Sequence, residues 1–133
     1  MRTQEDLESY LMSSSYLCEV LSEGTWLVRD PSQPQDRIVV RVEGELVVLR
    51  LKVLELSAVV RREGLFEQLL RFNSSEMVYG AYALSGDHIV LTSAHRLATL
   101  DDEELRASVD DFVLAVQNHH GALRAFCAGG GQS

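Results

Sequence analysis

Ser85-Gly86-Asp87, set between two β-rich runs, limits the folds open to this chain more than any other feature. Met77 to Leu84 and His88 to Ala94 carry residues that suit pleated strands. Glycine supplies the positive φ that a tight turn needs, so the segment reads as a two-stranded hairpin. Strand side chains alternate faces, which sends Tyr82 and Leu84 one way and Tyr79, Ala81 and Ala83 the other. Both faces therefore carry apolar groups.

Helical patterns flank this hairpin. Downstream, Thr99 is the expected side-chain cap, and Asp101 to Glu104 place carboxylates at the positive end of the helix dipole. Leu105, Val109, Phe112, Val116 and Leu123 align on a 3.6-residue wheel with Val113 beside them, a core-facing stripe. The expected helix runs from Asp101 to His120, about 30 Å, with Gly121 as a candidate stop and a continuation to Phe126 as the alternative. Upstream, Leu65 to Asn73 reads as a helix with Leu65, Leu69 and Phe72 on one edge and Phe66 and Leu70 on the next. That apolar arc covers about 140°, wider than the roughly 100° that packing on one sheet requires. A second copy of the chain is the expected cover, with Leu65, Phe66, Leu69 and Leu70 at a homodimer interface.

Ahead of these elements, Thr3 and Asp6 form a helix-start signal, Leu7, Tyr10 and Leu11 share a face, and Ser13-Ser14-Ser15 ends the helix. Strand chemistry follows in Tyr16 to Leu21, Thr25 to Arg29, Arg37 to Glu43 and Glu45 to Leu54. Ser22-Glu23-Gly24 and Glu43-Gly44-Glu45 read as hairpin turns, and Asp30 to Asp36, with Pro31 and Pro34, as a longer exposed loop. In the fourth run Leu49, Leu51 and Val53 alternate with Arg50 and Lys52, so one face of that strand is wet.

At 133 residues and 46% hydrophobic content the chain suits one domain, residues 1–127, followed by a Gly-rich tail at 128–133 that is expected to be disordered. A net charge of −8 repels nucleic-acid phosphates and anionic lipid surfaces, so neither is an expected partner. The opening residues show neither a basic leader nor an apolar run, which points to the cytoplasm, where Cys18 and Cys127 would be free thiols.

Catalytic and metal-binding readings find little to stand on. His88 and His95 are an odd number apart along one strand and point to opposite faces, and His119 and His120 sit at a helix end that favours a cation. Neither pair has the ligand spacing of a zinc site. Asp101 to Glu104 and Asp110-Asp111 read as a solvated helix start and a solvated face rather than as acid–base pairs. No serine lies in a G-x-S-x-G elbow, Gly129-Gly130-Gly131 lacks the residues of a phosphate loop, and no cofactor is implied.

Leu65-Phe66-Glu67-Gln68-Leu69-Leu70-Arg71-Phe72-Asn73, the hairpin from Gly80 to Leu91 and the acidic run opening the last helix after Leu97 resemble the class I type III secretion chaperones and the YbjN-like proteins that share their fold. The resemblance covers most of Leu46 to Leu123. It implies an α+β fold in the order helix, antiparallel strands, helix, β-hairpin, helix, with one five- or six-stranded antiparallel sheet packed by helices. It also implies a dimeric, non-catalytic domain that holds an unfolded or extended segment of a partner protein along the first helix and the sheet edges. Tyr10, Met12, Trp26 and Leu27 have no evident internal partner in the sequence and, with Leu7, are the expected partner-binding residues, while strand aromatics such as Trp26 also read as core. A YbjN-like regulatory or structural dimerisation module without a client is the alternative, and a small enzyme has the least support.

Overall fold

A computed structural model describes residues 2–128. Helix α1 (Gln4–Met12) begins in a capping box, with the Thr3 hydroxyl accepting from the Asp6 amide and the Asp6 carboxylate accepting from the Thr3 amide. Four strands follow: β1 (Leu17–Ser22), β2 (Thr25–Asp30), β3 (Gln33–Glu43) and β4 (Leu46–Glu55). Helix α2 (Arg62–Ser75), the hairpin β5 (Ala81–Ser85) and β6 (His88–Arg96), and helix α3 (Asp102–Arg124) complete the chain, with single 3-10 turns at Leu56–Ala58 and Leu97–Thr99. The six strands form one antiparallel sheet in the order β1-β2-β3-β4-β6-β5, so the edges are β1 and β5.

All three helices contribute to a core on one face of the sheet. Leu7 and Leu11 from α1, Leu65 and Leu69 from α2, and Leu105, Val109 and Phe112 from α3 are buried with Trp26, Val28, Ile38, Val40, Leu49 and Leu91. The residues between these in β3 and β4, Arg37, Arg41, Arg50 and Lys52, are exposed on the opposite face, which no helix covers.

Four local expectations change. Asp30 to Asp36 is a tight turn, not a long loop: the Asp30 carboxylate accepts from the amide and hydroxyl of Ser32, and Asp30 already pairs with Gln33. Pro34 is tolerated inside β3 because β4 pairs with β3 only from Ile38 onward. The cap of α3 is Asp101, not Thr99: Asp101 Oδ1 accepts from the Glu104 amide at 2.7 Å, while Thr99 closes a 3-10 turn that buries Leu100. The helix also passes through Gly121 to Arg124, because burying Leu123 outweighs the roughly 1 kcal/mol that a helical glycine costs. The strand expected from Met77 begins only at Ala81.

The end of the chain is tied in as far as it is described. Cys127 bridges Val59, and the Ala128 amide donates to the Ala58 carbonyl. The tail expectation for residues after Ala128 lies outside the described residues. Both cysteines are free thiols.

Candidate functional site

An edge strand presents every second N–H and C=O outward, and those groups either find partners or remain open to another chain. At the start of β5 they find partners, at Tyr82 and in residues 78–80 leading into the strand, while among the described residues none reaches the main chain of Leu84. The Asn73 side chain, in the last turns of α2, accepts from the Tyr82 amide at 2.7 Å and donates to the Tyr82 carbonyl at 3.1 Å, as a neighbouring strand would. One Asp111 carboxylate oxygen from α3 accepts from the amides of Val78, Tyr79 and Gly80. Glycine is needed at 80 because a Cβ there would stand 2.5 Å from the Phe112 ring and 3.1 Å from the Thr92 carbonyl oxygen. Helix and hairpin thus close on each other, and the edge is blunted.

Behind β5 lies a buried polar group. The Tyr82 hydroxyl and His119 Nδ1 are 2.7 Å apart, and the Phe72 ring stacks on the imidazole with centroids at 3.7 Å and planes 3° apart. Burial pushes the His119 pKa down and raises that of Tyr82, so Tyr82 donates its hydroxyl hydrogen to a neutral ring.

The β1 edge is built differently. Tyr16 anchors its start to α3, its hydroxyl donating to Asp110 at 2.5 Å, and Cys18 Sγ donates to the Leu11 carbonyl of α1. Among the described residues, no hydrogen bond from outside the β1–β2 ladder reaches the main chain of Leu17–Ser22. Leu17, Val20 and Leu21 are each about half exposed, and Met12 at the end of α1 is 49% exposed. Leu17 pairs with Arg29 and Val20 with Trp26, so the two leave opposite faces of the strand. This is an edge with free backbone groups and apolar side chains on both sides.

The expected anchors divide accordingly. Tyr10 is half-buried, with the Arg2 guanidinium 6.0 Å from its ring, and Met12 is exposed at the end of α1. Leu7, Trp26 and Leu27 are corrections, because each is 2% exposed or less within the monomer. Leu7 and Trp26 fill the core, where indole Nε1 donates to Glu8, and Leu27 lies beneath its neighbours on the other face of the sheet. Leu65 and Leu69 are likewise core residues of α2 rather than surface ones, whereas Phe66 is half-buried and Leu70 is 69% exposed. The sequence reading missed Leu17, Val20 and Leu21. Their signal was an apolar run, Leu17-Cys18-Glu19-Val20-Leu21, that is too apolar on both faces for a strand with one wet side.

One constellation has the composition of a hydrolase site: His95 Nε2 lies 3.0 Å from Ser93 Oγ and 2.8 Å from Ser108 Oγ. Both hydroxyls already donate elsewhere, Ser93 to the Tyr79 carbonyl and Ser108 to the Glu104 carbonyl. Nε2 therefore carries the hydrogen shared between them, the reverse of what a general base requires. Burial also lowers the His95 pKa. Among the described residues no three His, Cys, Asp or Glu side chains gather as a metal site, and no helix is long and apolar enough to cross a membrane.

A model of the CesT_Tir_1 family matches residues 1–129. No curated protein matches the sequence. Among solved structures, a chain of the ExsC–ExsE complex is similar with TM-score 0.65 and 16% identity, covering 96% of this chain and 98% of that one. The Yersinia pestis type III secretion chaperone SycH, solved with a stable fragment of YscM2, gives TM-score 0.63 and 14% identity over 86% of this chain and 97% of that one. YbjN from E. coli gives 0.54 and 12% over 90% and 92%. At these identities the likeness is one of fold.

Proposed function

Because the chain belongs to the CesT_Tir_1 family, we propose that it is a chaperone-like, non-catalytic domain that holds an extended segment of another protein along β1. The bare β1 edge carries this reading. An added strand would take its main-chain hydrogen bonds from Leu17–Ser22, while Leu17, Val20, Leu21 and Met12 would cover its apolar side chains. ExsC and SycH were solved in complexes with ExsE and a YscM2 fragment, which supports a protein partner for this fold. The working form is a cytoplasmic homodimer, built at the opposite edge of the sheet, on its helix-bearing face, where Leu70 of α2 and Leu84 of β5 are exposed. That arrangement leaves both copies of β1 free.

Peptides selected from a random display library against the whole protein test the assignment. Leu17→Ser/Val20→Ser should weaken the selected binders at least tenfold without lowering the melting temperature. Unchanged binding would contradict docking at β1. Leu70→Glu should convert dimer to monomer in sedimentation, and a wild type that sediments as monomer at micromolar concentration would contradict the dimer.

A further inference from the structure

In a chain of net charge −8, six of the twelve Lys and Arg residues stand on one surface, the sheet face without helices. Arg37, Arg41, Arg50 and Lys52 line a groove of about 620 Å³ over β3, β4 and β6. Arg29, paired with Leu17, and Arg96, paired with Leu46, extend the same face. Glu43 is the acid in the lining, and it is paired with Arg41 at 3.3 Å. Glu55, at the margin, faces His88 at 3.8 Å. Among the described residues Arg37, Arg50 and Lys52 have no carboxylate within salt-bridge distance. The floor between them is apolar: Val39 stands between Leu27 and Arg50, and Val48 between Arg41 and Ala94.

We infer that this open face is a second docking surface, for an acidic amphipathic helix of a partner protein. The central part of the face offers side chains only, since the main chain of 38–41 in β3, 46–51 in β4 and 88–92 in β6 is committed to the ladders on both sides. A helix satisfies its own backbone and needs nothing more from such a surface. From Gln35 to Glu43 the groove runs about 26 Å at about 3.3 Å per residue, the length of a helix of about 18 residues. Apolar side chains of that helix would lie on Val39 and Val48, with flanking carboxylates against Arg37, Arg50 and Lys52. The groove holds no Phe, Tyr or Trp on which bases could stack, its one imidazole, His88, faces Glu55, and the net negative chain repels phosphate backbones, so the charge pattern favours carboxylates on a protein over nucleic acid. The inference is independent of docking at β1, which contributes no residue to the groove.

A labelled helical peptide of about 18 residues, with leucines on one stripe and glutamates beside it, serves as the probe in fluorescence anisotropy. It should bind at least tenfold more tightly than the same peptide with lysines, and added salt should weaken it. Arg37→Gln/Arg50→Gln/Lys52→Gln should reduce binding at least tenfold. Arg71→Gln/Arg106→Gln/Arg124→Gln, the same charge change on the helix side, should leave it within twofold, as should Leu17→Ser/Val20→Ser. If the groove triple variant fails to fold, Lys52→Glu alone should weaken binding in the same direction. Equal losses from the two triple variants, equal binding of the lysine peptide, tighter binding of a single-stranded oligonucleotide, or no binding at millimolar peptide would each overturn the inference. So would a groove triple variant that sediments as monomer beside a dimeric wild type, which would make the face an interface between copies.

Discussion

The two edges of the sheet face the same problem of unpaired backbone groups and meet it in opposite ways. At β5, Asn73 and Asp111 reach from two helices to occupy the amides and one carbonyl of Val78 to Tyr82, and a blunted edge results. At β1 no side chain does this among the described residues, and half-exposed Leu17, Val20 and Leu21 leave both faces of the strand apolar. Natural edges are usually protected by charge, proline, a bulge or cover; β1 carries one charge, Glu19, and a register shift between Val20 and Ser22, and the proposed docking rests on its free backbone groups and half-exposed apolar side chains. The difference teaches that side chains placed one hydrogen bond from a strand decide whether its outward backbone groups are occupied or open.

The largest effect is expected where the blunted edge rests on its helix. Phe112 is fully buried and abuts Gly80, so Phe112→Ala should cost about 3 to 5 kcal/mol in urea unfolding through the cavity it leaves. Similar unfolding curves for variant and wild type would show that β5 does not depend on α3. Asn73→Ala comes next, at about 1 to 3 kcal/mol, because it strands the Tyr82 amide and carbonyl. That variant should also gain self-association or a second peptide site, having turned β5 into an edge like β1. An Asn73→Ala protein with native stability and one site would remove the asymmetry.

Smaller still is the change at β1. Leu17→Asp/Val20→Asp should leave unfolding within about 0.5 kcal/mol of wild type, as surface substitutions do. A large loss of stability would mean that β1 is structural rather than free. The smallest effect comes from pH. Burial holds the pKa values of His119 and His95 below the ordinary 6.5, so both are neutral in the fold while the unfolded chain takes up protons more readily. Their contribution is full above about 6.5 and is lost as pH falls through the lower folded values. His119 sits behind Tyr82, so on lowering pH from 7 to 5.5 amide protection factors, corrected for the slower intrinsic exchange, should fall at β5 and α3 before β1. A uniform fall in protection, or loss at β1 first, would contradict the placement of the buried histidines.

The sequence made the hairpin legible because Gly86 with its positive φ stands between strand-like runs, and the α3 stripe because its apolar residues recur with helical period. Capping in α1 was equally plain from Thr3 and Asp6. The candidate site was read less well. Trp26 looked like an anchor because no local residue accounts for an indole, yet it is Glu8 and the core across the sheet that do so. Edge strands are a property of sheet order, and nothing local in Leu17–Ser22 says that β1 has one neighbour rather than two. Asn73 was visible only as a residue ending a helix, since its partner Tyr82 is reached by a turn that the periodic pattern does not encode. The wide arc on α2 was read correctly as excess apolar surface, but Leu65 and Leu69 spend theirs on the core and leave Leu70 outside.

Hydrogen exchange on the protein with and without a peptide selected to bind it tests docking at β1 most directly. Protection gained on binding should concentrate in the amides of Leu17–Ser22, alternating along the strand, with β5 unchanged. Protection that appears at Ala81–Ser85 and leaves β1 untouched would contradict it.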